Sequence, residues 1–258
     1  MNKRNKIFFV SDAHLGINDQ ISSTERETIL INWLDEIKEQ ALEINFLGDI
    51  FDFWFEYKYL VPSGFARLLA KLRELSENKI IINFFTGNHD LWTFGYLQNE
   101  CKVNIFRKPM IREIDGKIFF IGHGDGLGGY SVKHNLLKWM FTHRFFQFLF
   151  KIIHPSISFR IAVSCSKLSY KKQLRSKNIN PDDEILVKYA KKILEKKHIH
   201  FFVFGHRHKP FQINIGENSV FTSVGDWVNS FSYAVYEENN LFLHKYDYLN
   251  ASMATFKS

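Results

Sequence analysis

Five short turns of this sequence carry acidic, imidazole and amide side chains of the kinds that bind metal ions. In chain order they read DAH at 12–14, GDIFD at 48–52, GNHD at 87–90, GHGD at 122–125 and GHRH at 205–208. Carboxylate, imidazole and amide oxygen donors without thiolate suit Mn²⁺, Fe or Zn²⁺ better than a sulfur-rich site does. Seven such ligands are too many for one metal ion with an open position. They predict two metal ions about 3.5–4 Å apart that share a bridging carboxylate.

Two metal ions in that arrangement favour chemistry at phosphorus. They can hold a phosphoryl oxygen, acidify a bridging water and stabilise the charge that develops during in-line attack. An isolated acid and histidine in a turn are usually solvent-exposed and bind nothing. The prediction therefore depends on all five turns coming together in space.

Each turn follows a short apolar run with the length and composition of a buried β-strand. The runs cover residues 7–10, 44–47, 80–85, 118–121 and 201–204. Amphipathic helical patterns separate the first three runs, and Ser22 with Glu25 predicts a capping box before the first helix. This alternation predicts a layered α/β fold, with the five turns at one sheet edge beyond the carboxyl ends of the strands. Glycine precedes the functional residue in four turns, which suits a tight turn and a close backbone approach.

The fourth and fifth strands are too far apart for a plain connection. The intervening pattern is helical, apolar and basic; Pro155 should divide it into two helices, and a further helix is expected after Pro181. We therefore predict a core built from residues 1–130 and 200–258, with a helical insertion, or cap, at 131–199. Beyond the fifth strand, short strands within 211–247 should pair as a mainly antiparallel sheet.

The insertion contains a helix that is apolar over an unusually broad arc. Phe141, Phe145 and Phe148 are spaced at i, i+4 and i+7, and basic residues are interspersed among them. Such a surface suits acyl chains or a membrane interface. Ordinary core packing is the plain alternative for the same pattern.

Composition narrows the class of protein without choosing a substrate. The 258 residues are 45% hydrophobic and 24% charged, which is typical of a globular chain, and the net charge of +7 favours anionic partners. Cys101 and Cys165 are far apart and predict reduced thiols in a cytoplasmic protein. The apolar run at the N-terminus is too short for a signal peptide, and no stretch reaches the length of a membrane span.

Taken together and in this order, the blocks SDAHLG, GDIFDFW, GNHD, GHGDGLG and GHRHKP resemble the calcineurin-like metallophosphoesterase family. The resemblance covers most of the chain and implies a four-layered α/β/β/α sandwich with two divalent metal ions, for which Mn²⁺ is expected. Asp49 would bridge the two ions. Matching positions imply the remaining ligands, which for the first ion are Asp12, His14 and His208 and for the second Asn88, His123 and His206.

The same resemblance implies that His89 contacts the phosphate or donates a proton, and that Asp52 orients its imidazole. GDIFDFW, GHGDGLG and the long insertion are similar to the branch of the family that hydrolyses UDP-2,3-diacylglucosamine, in lipid A biosynthesis, to UMP and 2,3-diacylglucosamine 1-phosphate. In that branch the insertion forms a cap over acyl chains. The substrate-binding residues implied here are Asn88, His89, Ser164, Ser166, Lys167, Lys171, Lys172 and His206.

The expected partner is thus a nucleotide-sugar lipid, with peripheral contact between the 131–170 cap and the inner membrane, and no nucleic acid. Three alternatives share the same motifs: a soluble nucleotide phosphohydrolase, a nuclease-like phosphodiesterase and a non-catalytic binding module on this fold. Two further acids have plainer expected roles. Asp90 should accept backbone donors in its turn, and Asp226 should support the site from below.

Overall fold

The structure is a computed structural model that describes residues 4–129, 139–161, 164 and 181–250. Two β-sheets pack face to face. The first has the strand order β11-β10-β1-β2-β3-β4 and contains β1 (Lys6–Val10), β2 (Ala41–Phe46), β3 (Ile81–Phe85), β4 (Asn104–Phe106), β10 (Ser232–Glu237) and β11 (Asn240–Lys245). The second has the order β5-β6-β7-β9-β8 and contains β5 (Met110–Ile114), β6 (Lys117–Gly122), β7 (Phe201–Phe204), β8 (Phe211–Gly216) and β9 (Ser219–Ser223).

The central strands of both sheets are parallel. In the first sheet β1 to β4 run parallel, and β10 pairs antiparallel with β1. In the second sheet β6, β7 and β9 run parallel, between the antiparallel edge strands β5 and β8. The parallel strands therefore deliver their carboxyl ends, and the turns that follow them, to shared edges of the two sheets.

Side chains of β1 alternate between two hydrophobic clusters because successive residues of a strand face opposite sides of its sheet. Ile7 and Phe9 point between the sheets, where they join Phe119 of β6 and Val203 of β7. Phe8 and Val10 point to the outer face of the first sheet. Strands buried on both faces explain the continuous apolar runs in the sequence.

Helices cover both outer faces. The described helices are α1 (Ser23–Ile37), α2 (Ala66–Glu77), α3 (Tyr96–Glu100), α4 (Arg144–Ile152), a 3₁₀ turn (Pro181–Asp183) and α5 (Ile185–Leu194). Trp33 of α1 and Leu72 of α2 pack on the first sheet, while Leu186 and Val187 of α5 pack on the second. The layers are thus α/β/β/α, as the sequence predicted. Ser22 caps α1 by accepting a hydrogen bond from Glu25 N, a contact that stabilises a helix by about 1 kcal/mol.

Two expectations about the sheets are wrong. The five turns do not extend one sheet: three follow β1, β2 and β3 of the first sheet, and two follow β6 and β7 of the second. The strands of 211–247 also do not form one antiparallel sheet, because β8 and β9 stay in the second sheet whereas β10 pairs with β1 of the first. Both errors concern pairing between segments distant in sequence, which local patterns do not specify.

The described parts of the insertion show the predicted breaks. α4 ends at Ile152 and the chain is helical again over 155–161, so the break falls just before Pro155. α5 follows Pro181, but it packs on the second sheet and so belongs physically to the core, although the predicted division at 131–199 includes it. A Cβ on Gly128 would lie only 2.5 Å from Ile185 Cγ2 and 2.9 Å from Ile185 O. The chain therefore leaves the core and returns to it at one place.

Two expectations from composition concern cysteine and membrane spans. Cys101 is a buried free thiol, and burial raises its pKa to about 11, so it is a poor nucleophile. Cys165 lies outside the described residues. Within the described ranges, no helix is both long enough and apolar enough to cross a membrane.

Candidate metal centre

The turns that carry the predicted ligands have unusual backbone geometry. Left-handed φ angles between 42° and 69° occur at five of the predicted ligands, namely Asp12, His14, Asp49, His206 and His208. Non-glycine residues adopt this region at an energetic cost, and they cluster at functional sites where the surrounding structure enforces the conformation. Here the first two loops enforce each other, since His14 N donates to Asp49 O at 3.0 Å and Leu15 N to Ile50 O at 2.9 Å.

Glycine is required where these loops touch. Gly48 has a φ of +88°, and a Cβ there would lie 2.6 Å from Gly87 N and 2.9 Å from His123 Nδ1. A Cβ on Gly205 would overlap Ser11 Oγ. These close approaches confirm the sequence-based reason for glycine before the functional residues.

The first group of predicted ligands converges. Asp12 Oδ1 lies 3.1 Å from His208 Nε2 and 3.7 Å from His14 Nε2. The two Nε2 atoms of His14 and His208 are 3.2 Å apart. One donor atom from each of the three residues lies within 4.8 Å of the others, which is close enough for a single cation to contact all three.

The second group converges beside the first. His123 Nε2 lies 3.2 Å from Asp49 Oδ2 and 3.3 Å from Asn88 Oδ1. The rings of His123 and His206 are 5.0 Å apart, and Asp49, His123 and His206 meet the same 4.8 Å criterion. Asp49 Oδ2 is also 3.9 Å from His14 Nε2 of the first group. Asp49 therefore lies between the groups, where a bridging ligand belongs.

Acceptors fix the orientation of the histidine rings. The Nδ1 atom of His123 is 2.7 Å from Leu47 O, that of His14 is 3.3 Å from Asp52 Oδ1, and that of His208 is 3.4 Å from Asp226 Oδ2. A ring whose Nδ1 hydrogen is held by an acceptor presents its Nε2 lone pair, which is the usual state of a metal-binding histidine.

This donor set fits divalent cations. The Nε2 atoms of His14 and His208 face each other at 3.2 Å, so either a proton or a metal ion must separate their lone pairs. Asp12 Oδ1 is buried, and within the described part of the chain its nearest polar neighbours are the Nε2 atoms of His208 and His14, neither of which approaches it with good hydrogen-bond geometry. A buried carboxylate oxygen without a hydrogen-bond donor is costly unless a cation contacts it.

The charges of the site are strongly coupled. Burial would raise the pKa of Asp49, but His123 and His89 lower it far below its usual range. Burial would lower the pKa of His208, but Asp12 and Asp226 raise it to about 10. In contrast, burial and the charge of His123 lower the pKa of His206 to about 3. Without metal, protons on the imidazoles balance the buried carboxylates.

His89 and Asp52 lie at the edge of both groups. His89 Nδ1 donates to Asp52 O at 2.8 Å and lies 3.4 Å from Asp52 Oδ1. Burial would lower the pKa of His89, but Asp49 and Asp52 raise it to about 9. Asp52 thus contacts the imidazole that it was predicted to orient, and it also contacts His14, which the sequence did not indicate.

The structure brings further residues to the centre. Asp226 was expected only as support, yet it contacts His208 directly. Ser11 Oγ donates to Asp12 Oδ2, a contact that neighbouring positions in the sequence could have suggested. Asp90 accepts from Gly87 N in its own turn at 2.7 Å, as the sequence predicted, and also from Ile50 N at 2.8 Å, so it joins the second and third loops.

Arg26 holds the first loop in place, a role that the helical pattern of α1 did not indicate. Its guanidinium is buried and donates to the carbonyl oxygens of the first loop, including His14 O at 2.9 Å and Ile21 O at 2.6 Å. The helix that follows the loop therefore fixes the loop. Nothing in the periodicity of α1 distinguishes this arginine from a solvent-exposed one.

The insertion packs through aromatic rings against Phe55 and Trp92, which follow the second and third ligand-bearing turns. Phe150 of α4 lies 4.6 Å from Trp92 and 5.0 Å from Phe55, measured between ring centroids. Trp92 Nε1 donates to Phe141 O at 2.7 Å. The opposite side of α4 is exposed, with Phe148 at 59% of its surface accessible. The helix is apolar on both sides, as its sequence indicated.

The predicted substrate residues of the insertion are mostly outside the described ranges. Ser164 is exposed, and its hydroxyl donates to Arg160 O at 2.8 Å. The others, Ser166, Lys167, Lys171 and Lys172, lie outside the described residues.

Comparison with known proteins identifies the family. The sequence model of the calcineurin-like phosphoesterases matches residues 5–210. The chain belongs to the calcineurin-like phosphoesterase family. This family assignment confirms the expected hydrolase class, and the clustered donors agree with the divalent metal ions that a metallophosphoesterase requires.

Curated relatives from this phosphoesterase family are similar along most of their length. UDP-2,3-diacylglucosamine hydrolase of Porphyromonas gingivalis is 33% identical over 93% of this chain and 97% of its own. Proteins of that name from Histophilus somni and Aliivibrio fischeri are 26% and 24% identical, covering 86% and 94% of this chain and 92% and 99% of their own.

Proposed function

We propose that this protein hydrolyses the diphosphate of UDP-2,3-diacylglucosamine to UMP and 2,3-diacylglucosamine 1-phosphate, with two divalent metal ions, Mn²⁺ being the expected metal. The observation that carries the substrate is the likeness to the Porphyromonas gingivalis hydrolase along nearly the full length of both chains. The chemistry is supported by the two neighbouring donor groups and by Asp49, whose Oδ2 lies 3.2 Å from His123 Nε2 of the second group and 3.9 Å from His14 Nε2 of the first.

In this proposal the donor groups are the metal ligands. The first ion would be held by Asp12, His14 and His208 and the second by Asn88, His123 and His206, with Asp49 as the ligand expected to serve both. When bound, the ions would hold a phosphoryl oxygen and acidify the attacking water. Asp52 and Asp226 keep the rings of His14 and His208 in a binding orientation, because each accepts at an Nδ1 atom.

His89 is proposed to contact the diphosphate directly. Its Nδ1 is held by Asp52 O, so Nε2 is the atom that faces substrate. In the metal-free chain, burial would lower the pKa of His89, but Asp49 and Asp52 raise it to about 9; Asp52, which binds no metal ion in this proposal, favours the protonated imidazole. Attack at the nucleotide-side phosphorus expels a phosphomonoester, which needs less help from a proton than an alkoxide does. His89 therefore acts chiefly by donating a hydrogen bond to the charge that develops on phosphate oxygen.

The insertion is proposed to cover the acyl chains and to contact the inner membrane. Phe145, Phe148 and Ile152 of α4 are each more than half exposed, beside the cationic Arg144 and Lys151. Exposed apolar side chains with interspersed cations suit a fatty-acyl ligand or an anionic bilayer surface. The roles assigned to Ser164, Ser166, Lys167, Lys171 and Lys172 stay predictions of this proposal.

The test is Mn²⁺-dependent release of UMP from the diacylated UDP-sugar and from its unacylated analogue. We expect turnover of the acylated substrate, a large loss on removal of the acyl chains, and no activity in Asp49→Asn. Equal rates on the two sugars would support a soluble nucleotide phosphohydrolase. Preference for a generic phosphodiester would favour a nuclease-like enzyme, and no hydrolysis of any of these would leave a binding module.

A further inference from the structure

The place where the insertion returns to the core touches the loops of the metal centre. Glu184 is the N-cap of α5, where its Oε1 accepts from Ile185 N at 3.1 Å. A Cβ on Gly124, next to His123, would lie 2.9 Å from Leu186 Cδ1. The first turn of α5 therefore packs against the fourth metal loop.

Glu184 also reaches the fifth metal loop. Its Oε1 lies 2.7 Å from Arg207 Nε, and the Glu184 side chain is only 8% exposed. Arg207 stands between His206 and His208, which hold different ions in the proposed centre. Both histidines have left-handed backbone conformations, with φ of 69° and 54°. The residue between them is thus tied to the end of the insertion.

This ion pair has an electrostatic consequence. Arg207 directly adjoins both proposed ligand residues in the chain, so its guanidinium adds positive charge to the loop that carries them and opposes the binding of divalent cations there unless a carboxylate neutralises it. Glu184 supplies that carboxylate from a side chain that is 8% exposed; the Arg207 side chain is 28% exposed, so water screens their attraction only in part. Removing only the acid would leave Arg207 as an unpaired cation beside the ligands.

We propose that Glu184 is a positioning residue for the metal centre, which acts through Arg207 by holding and neutralising its guanidinium beside the ligands His206 and His208. The inference rests on the proposed two-metal centre. It makes the last residue before α5, at the end of the insertion, part of what sets the affinity for metal.

The test is calorimetric titration of the metal-free full chain with Mn²⁺, together with the visible absorption spectrum of the Co²⁺-loaded protein. Glu184→Gln should weaken Mn²⁺ binding about tenfold, the size typical of a partner outside the ligand shell. Its Co²⁺ spectrum should shift, because the Arg207 charge is no longer held. Glu184→Asp keeps the charge and should bind nearly as the natural protein does.

A double variant separates this role from helix capping. Glu184→Gln combined with Arg207→Met removes both charges, so Mn²⁺ affinity should return to within about twofold of the natural protein. A loss caused by the weakened cap of α5 would persist in the double variant. The matched control is Asp183→Asn, which removes the neighbouring acid from its exposed pair with Lys188 and should leave Mn²⁺ binding unchanged.

Failure of this inference and failure of the metal centre give different results. A natural protein that binds fewer than two Mn²⁺ ions per chain overturns the proposed centre itself. If the natural protein binds two ions and Glu184→Gln binds them equally well, or if the double variant stays as weak as the single one, only the role of Glu184 is overturned.

Discussion

The metal-binding loops and helix α4 are held in place by opposite means. In the loops, buried carboxylates and carbonyls fix individual ring nitrogens, and the backbone is forced into left-handed conformations. In α4, all of whose residues are described, none is buried, and the contacts with the loops are aromatic rings. Directional bonds hold reacting groups to within fractions of an ångström, whereas apolar contacts tolerate sliding. The difference suits a rigid reaction centre beside an adaptable binding surface.

The largest effect on activity should come from removing the carboxylate of Asp49, the proposed bridging ligand in the rigid loops. Asp49→Asn should lower turnover by more than about a hundredfold, because even partners outside the ligand shell are worth about 10–100-fold in metal-dependent activity. UMP release and metal content measure this directly. The matched control is Asp115→Asn, in the β5–β6 hairpin. Asp115 has a φ of 48°, close to the 53° of Asp49, and its substitution should leave activity unchanged. Equal activity in the two variants would contradict the bridging role.

The next largest effect tests whether His89 acts in the reaction together with the rigid loops. His89→Gln keeps a hydrogen-bonding side chain but loses the positive charge, so kcat should fall about a hundredfold, at the low end of the range for proton-donating groups. The fall should appear in kcat more than in KM, because the charge on phosphate grows in the transition state. Undiminished kcat would remove His89 from the mechanism.

Metal affinity should rise with pH. In the metal-free protein, burial would lower the pKa of His208 but Asp12 and Asp226 raise it to about 10, so this proposed ligand is protonated at pH 7. A metal ion must displace that proton, and each proton displaced makes binding about tenfold tighter per pH unit up to that pKa. Calorimetry at pH 7.5 in Hepes and in Tris should give heats that differ by the number of protons released multiplied by the difference between the ionisation enthalpies of the two buffers. Identical heats would contradict this coupling.

The smallest effect on the kinetics should come from substitutions in helix α4. Aromatic pairs are worth about 0.5–1.5 kcal/mol each. Phe150→Ala, which loses its contacts with Phe55 and Trp92, should therefore raise KM for the acylated substrate about fivefold with little change in kcat. Leu15→Ala, beneath the metal loops, should instead lower metal content. A fall in kcat for Phe150→Ala with unchanged KM would show that α4 also orders the reaction centre.

The sequence predicted which side chains come together better than it predicted which strands pair around them. Five strand-end turns indicated a common site, because parallel strands bring their carboxyl ends together whichever sheet they occupy. The assignment of β10 to the first sheet could not be read locally, since its partner β1 lies at the other end of the chain. Pairing between distant segments depends on the complete core, not on the alternation within either strand.

The supporting residues show the same limit at the level of single side chains. Asp52 was predicted because the family resemblance implies an orienting partner for His89, and Asp52 belongs to the GDIFDFW motif that carries the resemblance. Arg26 and Glu184 lie in helical segments whose pattern explains them equally well as surface residues. Their roles follow only from which loop each side chain reaches, namely the carbonyls of the first loop and Arg207 of the fifth.

The contact between Gly128 and Ile185 places the two ends of the insertion side by side. A chain that departs and rejoins at adjacent points can be trimmed or exchanged there without opening either sheet. A short linker from Gly128 to Glu184 would keep both sheets and the ligand-bearing loops in a smaller protein. Segments with other substrate specificities could then be inserted at the same place. In the proposed function, the segment that selects the substrate could therefore be exchanged separately from the loops that carry the ligands.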